Sequence, residues 1–207
     1  MKIDFDIKRD QKYHQYCPHC KSKNISRVFV KEKTYYYCKE CKKKYSRMIV
    51  IDPKIKWRID PKTKEYWHES VGVFIFNKEN KILLFERSIY PFACTIPAGH
   101  VDAGERVKEA IIREVKEEVG INLSNIKLFS EENVVGDKCR RGADNHFWHL
   151  YVAKINHNVK INVKEEGDKA EWLSIDAALK KKLVYPVRYF INKYGDDLMK
   201  SINEKHN

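Results

Sequence analysis

The fold of this chain is constrained most by residues 99–121, which read GHVDAGERVKEAIIREVKEEVGI. Gly99 and Gly104 permit tight backbone turns, and a run of strong helix formers begins at Glu105. Gly120 then provides the left-handed residue that commonly ends a helix. The stretch therefore predicts a loop that leads into a helix.

That predicted helix carries three carboxylates on one side. At about 100° per residue, Glu114, Glu117 and Glu118 follow the i, i+3, i+4 spacing and lie beside the apolar face. Carboxylates this close would repel one another unless a cation lay among them, and oxygen ligands suit a hard divalent ion such as Mg²⁺ or Mn²⁺. The alternative is a solvated helix with ordinary ion pairs, such as Glu109 with Arg113.

The same stretch resembles the signature of the Nudix hydrolase superfamily, G-x5-E-x7-R-E-U-x-E-E-x-G-U, in which U is an apolar aliphatic residue. Every fixed position is matched, by Gly99, Glu105, Arg113, Glu114, Val115, Glu117, Glu118, Gly120 and Ile121. The resemblance implies hydrolysis of a pyrophosphate bond in a nucleoside diphosphate derivative, with water as the nucleophile. It also implies an α/β/α sandwich with a mixed sheet over about residues 70–205.

The resemblance assigns metal ligands by position. Glu114 and Glu118 would be the main ligands of Mg²⁺ or Mn²⁺. Glu117 would be a further ligand or would orient water, and the Gly99 carbonyl would complete the set. Divalent ions at this place would neutralise charge on the phosphates and lower the pKa of a bound water.

Other site residues are less tightly assigned. By the same resemblance, Arg113 would orient the glutamates and Glu105 would assist catalysis, although an ion pair that only shapes the loop is equally compatible. A general base outside the helix is common in the superfamily, and Glu165 and Glu166 are the candidates. The possible substrate contacts are Arg87, Arg140 and Arg141. No role is predicted for His100, Cys94 or Cys139.

Two CxxC pairs lie in the N-terminal third. Cys17 and Cys20 are separated from Cys38 and Cys41 by seventeen residues, a spacing that fits a Cys₄ structural zinc site. Segments rich in β-branched and aromatic residues lie around them at 25–30, 34–37 and 45–51. The pattern predicts a zinc ribbon, with two disulfides as the alternative use of the cysteines.

The basic character of the chain is concentrated in the same third. The formal net charge is +12, and residues 1–69 hold 19 basic and 9 acidic residues. Aromatic residues are interleaved with these cations, as they are in proteins that bind single-stranded nucleic acid. The aromatic residues are Phe29, Tyr35, Tyr36, Tyr37 and Tyr45. The ribbon is equally compatible with a structural brace or a contact in a homodimer.

The rest of the sequence indicates a layered α/β domain after a connector. Residues 52–69 contain two Asp-Pro pairs and no sustained period, so they are predicted to be a turn-rich linker. Strands are predicted at 71–76, 81–87, 126–135, 147–155 and 171–173, and further helices at 175–182 and 187–200. The predicted division is a zinc ribbon at 1–51, a linker at 52–69 and a Nudix domain at 70–207.

A ribbon ahead of such a domain is similar to the layout of NADH pyrophosphatases. The SQPWPFPxS-like segment expected after the signature is replaced here by LSNIKLFSEENVVGDKC, so the substrate stays open. We consider three hypotheses: a metal-dependent pyrophosphohydrolase of nucleotide derivatives, a version directed to RNA 5′ ends, and a non-catalytic nucleotide sensor that binds nucleic acid. With no long apolar run and a polar N-terminus, a cytoplasmic protein without a membrane partner is expected.

Overall fold

The computed structural model of the chain describes residues 1–31, 33–155, 159–163 and 167–202. The first five strands are β1 (His14–Tyr16), β2 (Ile25–Val30), β3 (Lys33–Cys38), β4 (Lys43–Tyr45) and β5 (Ile49–Ile51). Strands β2, β3 and β4 form a three-stranded antiparallel sheet, and β1 pairs with β5. The CxxC pairs lie where turns meet these strands, an arrangement compatible with a small ribbon.

The remainder of the described chain builds one larger mixed sheet with helices. Its strands are β6 (Trp57–Ile59), β7 (Tyr66–Phe76), β8 (Ile82–Arg87), β9 (Cys94–Thr95), β10 (Ala98–His100), β11 (Lys127–Val135), β12 (Asn145–Lys154) and β13 (Gly167–Leu173). The helices are α1 (Val107–Val119), α2 (Ile175–Leu179) and α3 (Tyr185–Ser201). The main strand order is β11-β12-β7-β8-β13, with β12 parallel to β7.

Strand β7 lies at the centre and is buried on both faces. Val71, Val73 and Ile75 point to the side covered by α1, whose apolar residues share their core cluster. Phe74 and Phe76 point to the opposite side, where they pack in the cluster that contains α3. Because side chains alternate along a strand, one run of apolar residues serves both layers. The predicted α/β/α sandwich is confirmed.

Residues 52–69 differ from the turn-rich linker that the sequence predicts. Strand β6 and the first residues of β7 lie within this segment and pair with each other, Trp57 with His68 and Ile59 with Tyr66. The rings of Trp57 and Tyr66 are in contact, with their centroids 5.8 Å apart. Tyr66 is fully buried among apolar residues of the N-terminal strands. The division of the chain into three parts stays a prediction.

Among the helices of the described residues, none has both the length and the apolar composition needed to span a lipid bilayer.

Candidate active site

The loop and helix place Gly99 against Glu114, in the middle of the acidic helix. Strand β10 pairs with the central strand β7, so the backbone at Gly99 is fixed by the sheet. A Cβ added to Gly99 would overlap the carboxylate of Glu114. Only glycine therefore lets this carboxylate lie directly against the strand. Helix α1 ends at Gly120, whose φ of 72° is the left-handed conformation that the sequence predicts.

Arg113 connects the acidic residues of this loop and helix. Its Nε and Nη2 atoms donate to the two carboxylate oxygens of Glu105, each at 2.9 Å. Its Nη1 donates to Glu114 at 2.7 Å and to Glu117 at 3.3 Å, and its Nη2 also donates to the carbonyl of His100. The hydrogen bonds from Arg113 lower the pKa of the Glu105 carboxyl below its ordinary value. These contacts hold the carboxylates in place, as a positioning residue would.

All four predicted Mg²⁺ or Mn²⁺ ligands line one cavity of about 500 Å³. They are Gly99, Glu114, Glu117 and Glu118. The backbone amide of Ala98 donates to Glu118 at 2.8 Å, so this carboxylate also lies against β10. The donor set consists of carboxylate and carbonyl oxygens beside solvent-accessible space, which fits a hard divalent ion. An ion would have to compete with Arg113 for Glu114 and Glu117.

The three predicted substrate arginines line the same cavity. Arg87 extends from β8, and its Nε is buried without a hydrogen-bond partner among the described residues. Arg140 donates to the hydroxyl of Tyr36 at 3.3 Å, and Arg141 donates to Asp52 at 2.5 Å. The cavity therefore has an acidic side and several guanidinium groups, a combination that suits a phosphate chain held through metal ions.

A sequence profile of the NUDIX domain matches residues 66–194, which is more than half of the chain. The chain belongs to the Nudix family. The first strand residues of the match, from Tyr66, are those that the sequence alone assigned to a linker.

Parts of this chain are similar in sequence to known Nudix proteins. It is 43% identical over 80 residues to an ADP-ribose pyrophosphatase from Methanocaldococcus jannaschii, covering 37% of this chain and 44% of that protein. It is 41% identical over 56 residues to an NAD-capped RNA hydrolase, NudC, from Photobacterium profundum, covering 27% of this chain and 21% of that protein. The matches thus span less than half of either relative.

Among solved structures, the fold is similar to the NUDIX domain of Shewanella oneidensis NrtR, complexed with ADP ribose. The TM-score is 0.56, the identity is 19%, and the similarity covers 67% of this chain and 93% of that chain. At this level of identity the likeness shows the fold.

The four cysteines of the CxxC pairs form a second ligand group, and none of them lines the cavity of the glutamates. Their sulfur atoms all lie within 4.8 Å of one another. Cys17 and Cys41 are 3.7 Å apart, and Cys20 and Cys38 are 3.5 Å apart, far longer than a disulfide bond. All four are free thiols. Four sulfurs at this separation fit a metal ion and not the alternative of two disulfides.

A further cluster was not predicted from the sequence. His68 on β7, His100 on β10, Cys139 and His146 place their ligand atoms within 4.8 Å of one another. His68 and His100 are far in sequence from Cys139 and His146, so no local motif contains all four. Burial lowers the pKa of His68 and of His100 well below the ordinary value. Burial also opposes protonation of His146, but the Asp137 carboxylate outweighs it and raises the pKa of His146 to about 10.

The two candidates for the general base, Glu165 and Glu166, lie outside the described residues.

Proposed function

We propose that this Nudix protein hydrolyses a pyrophosphate bond in a nucleoside diphosphate derivative. The observation that carries the proposal is the single cavity that brings Gly99 and the three glutamates of α1 together with Arg87, Arg140 and Arg141. The names of the relatives, an ADP-ribose pyrophosphatase and an NAD-capped RNA hydrolase, agree with a substrate of this class.

The residues of the chain divide into two groups by what they would do. Glu114, Glu117 and Glu118, with the Gly99 carbonyl, would hold Mg²⁺ or Mn²⁺. A bound divalent ion would supply charge neutralisation at the phosphates and would activate water. Arg113 would keep the glutamates oriented through the contacts described above. Glu105 would hold the Arg113 guanidinium in place by accepting hydrogen bonds from its Nε and Nη2.

The arginines would bind the other end of the phosphate chain. Arg87 lines the cavity from β8, and its guanidinium group would pair with the charge of a phosphate there. Arg140 and Arg141 lie on the loop between β11 and β12 and line the same cavity. The Cys₄ group would hold one zinc ion, which would stabilise a segment too short to form a large core.

The test is a Glu118→Gln variant assayed with Mg²⁺ on a panel of substrates. The panel contains NADH, ADP-ribose, dinucleoside polyphosphates, nucleoside triphosphates and 5′-triphosphate RNA. Glutamine keeps the size and an acceptor for the Ala98 amide but removes the charge, so turnover should fall to background while the thermal transition is retained. Glu109→Gln is the matched control, because Glu109 lies on the same helix and pairs with the exposed Arg106. Unchanged turnover in Glu118→Gln would remove the proposed site.

A second candidate is hydrolysis at the 5′ end of RNA, and one observation favours it. The ribbon lies beside the cavity: the rings of Tyr35 and Phe92 are 5.6 Å apart, and the Arg47 guanidinium lies 5.5 Å from the ring of Tyr90, which lines the cavity. Phe29 on β2 is 69% exposed beside Arg27. An RNA strand could therefore contact the basic ribbon while its 5′ end enters the cavity.

RNA binding of this kind depends steeply on salt, because released counterions drive it. The second candidate predicts that Phe29→Ala weakens RNA binding and leaves turnover of small nucleotides intact. Binding that is insensitive to both salt and this substitution would rule it out. The third hypothesis, a sensor without catalysis, is less well supported, because binding alone does not require the full glutamate set.

A further inference from the structure

A group of nitrogen and sulfur ligands lies in the wall of the same cavity as the glutamates. It consists of His68, His100, Cys139 and His146, and the last three line the cavity. The Nδ1 of His68 lies 3.0 Å from the Nε2 of His100 and 3.6 Å from the Sγ of Cys139. In a tetrahedral zinc site, ligand bond lengths place two nitrogens about 3.3 Å apart and a nitrogen and a sulfur about 3.6 Å apart. The observed nitrogen–nitrogen distance of 3.0 Å and nitrogen–sulfur distance of 3.6 Å are close to these values.

His68 faces the other members of the group through its Nδ1. The residue is only 1% exposed, yet its Nε2 has no hydrogen-bond partner among the described residues. Its neighbours at Nδ1 are another imidazole and a thiol. Nδ1 is therefore the nitrogen that a metal would take, and the buried ring is held with this atom towards the other ligands.

His146 has the surroundings of a histidine that binds a metal. Its Nδ1 lies 3.0 Å from both the carbonyl oxygen and the carboxylate of Asp137. Trp148 donates to the same carboxylate at 2.8 Å, which fixes it in place. A carboxylate on one imidazole nitrogen orients the ring and leaves the other nitrogen for a metal.

We propose that His68, His100, Cys139 and His146 bind a zinc ion, in addition to the ion of the Cys₄ group. Three imidazoles and one thiolate complete a tetrahedral shell without a carboxylate, which favours zinc over Mg²⁺ or Mn²⁺. Since the protein supplies all four ligands, the ion is structural. It joins β7, β10, β12 and, through Cys139, the loop between β11 and β12, and so fixes the loop that carries Arg140 and Arg141.

The test is the zinc content of the full chain, purified and measured by native mass spectrometry and elemental analysis. The wild type is expected to carry two zinc ions. Cys139→Ser and His146→Gln should each carry one, and Cys38→Ser should also carry one, because it empties only the Cys₄ group. Cys94→Ser is the matched control: Cys94 is a buried cysteine outside both groups, and this variant should keep two ions.

X-ray absorption at the zinc edge of the wild type gives an answer that does not depend on any variant folding. Four sulfurs from the Cys₄ group and one from Cys139 make five sulfur and three nitrogen neighbours over two ions. A single ion with sulfur neighbours alone, lost in Cys38→Ser and kept in Cys139→Ser, would overturn the proposal. It would leave the histidines and Cys139 as a hydrogen-bonded cluster.

This readout is independent of turnover. The Glu118→Gln variant is expected to keep both zinc ions, so a failure of the hydrolase proposal would not change the metal count. Conversely, a wild-type protein that hydrolyses its substrate but carries only one zinc ion would contradict the second zinc site and leave the hydrolase proposal standing.

Discussion

Replacing Gly99 with alanine tests the close approach of β10 and helix α1. The added methyl group would overlap the Glu114 carboxylate, which is the flexible end of a side chain and not backbone. We therefore expect Glu114 to move, and the fold to survive at a cost of about 1–3 kcal/mol, as for other overpacked sites. The moved carboxylate would lose its 2.7 Å hydrogen bond from Arg113 and its position against Gly99.

The expected effect on catalysis follows from that lost contact. A hydrogen bond between charged groups contributes about 1.5–3 kcal/mol, so kcat should fall about ten- to a hundredfold if the alignment of Glu114 matters for the transition state. The assay is product formation over a Mg²⁺ titration, with thermal unfolding measured in parallel. We also expect the Mg²⁺ concentration needed for half-maximal activity to rise.

Gly195→Ala is the matched control for this substitution. Gly195 lies inside α3, where an added Cβ would be 3.9 Å from Ile175, an ordinary van der Waals distance. Alanine is a better helix former than glycine, so this variant should keep full activity and gain up to about 1 kcal/mol of stability. Normal kcat and an unchanged Mg²⁺ requirement in Gly99→Ala would refute the reasoning that Gly99 serves the position of Glu114.

Two further predictions concern ion pairs. Arg47→Lys should lower the free energy of unfolding by about 2 kcal/mol, because the Arg47 guanidinium donates to the carbonyls of Cys139 and Ala143 and to Asp144, at 2.6–2.7 Å. Urea unfolding measures this, and an unchanged midpoint would contradict it. The pKa of Glu105 is lowered in the folded state. The ionised Glu105 should therefore contribute fully to the free energy of unfolding above about pH 4.5, and this contribution should be lost as the pH falls through the pKa of the folded state. The stability difference between the wild type and Glu105→Gln should therefore shrink in acid, and a difference that is constant down to pH 2 would oppose this.

Local sequence was enough to predict the helix and the cysteine group. The end of α1 depends on Gly120 and its glutamates on helical spacing, both of which act within a few residues. The CxxC pairs bring two sulfurs together from one turn, so their spacing alone indicates a shared ion. The roles of the site residues in catalysis stay predictions.

Two features that depend on strand pairing were missed in the sequence. Trp57, Arg58 and Ile59 alternate between apolar and polar, but three residues are too few to identify β6, which pairs with β7. The other feature is the cluster of His68, His100, Cys139 and His146. It exists only because β10 and β12 both pair with β7, which brings their residues to one place.

The loop between β11 and β12 receives support from the N-terminal strands through the main chain as well as through Arg47. The amides of Met48 and Val50 donate to the carbonyls of Arg140 and Arg141, each at 2.9 Å. A protein shortened to begin at residue 66, where the NUDIX match starts, would lose these donors as well as β6. Its arginines would then be free to leave the cavity. Kinetic work on such a shortened form would describe a different pocket, and the substrate should be sought with the N-terminal strands attached.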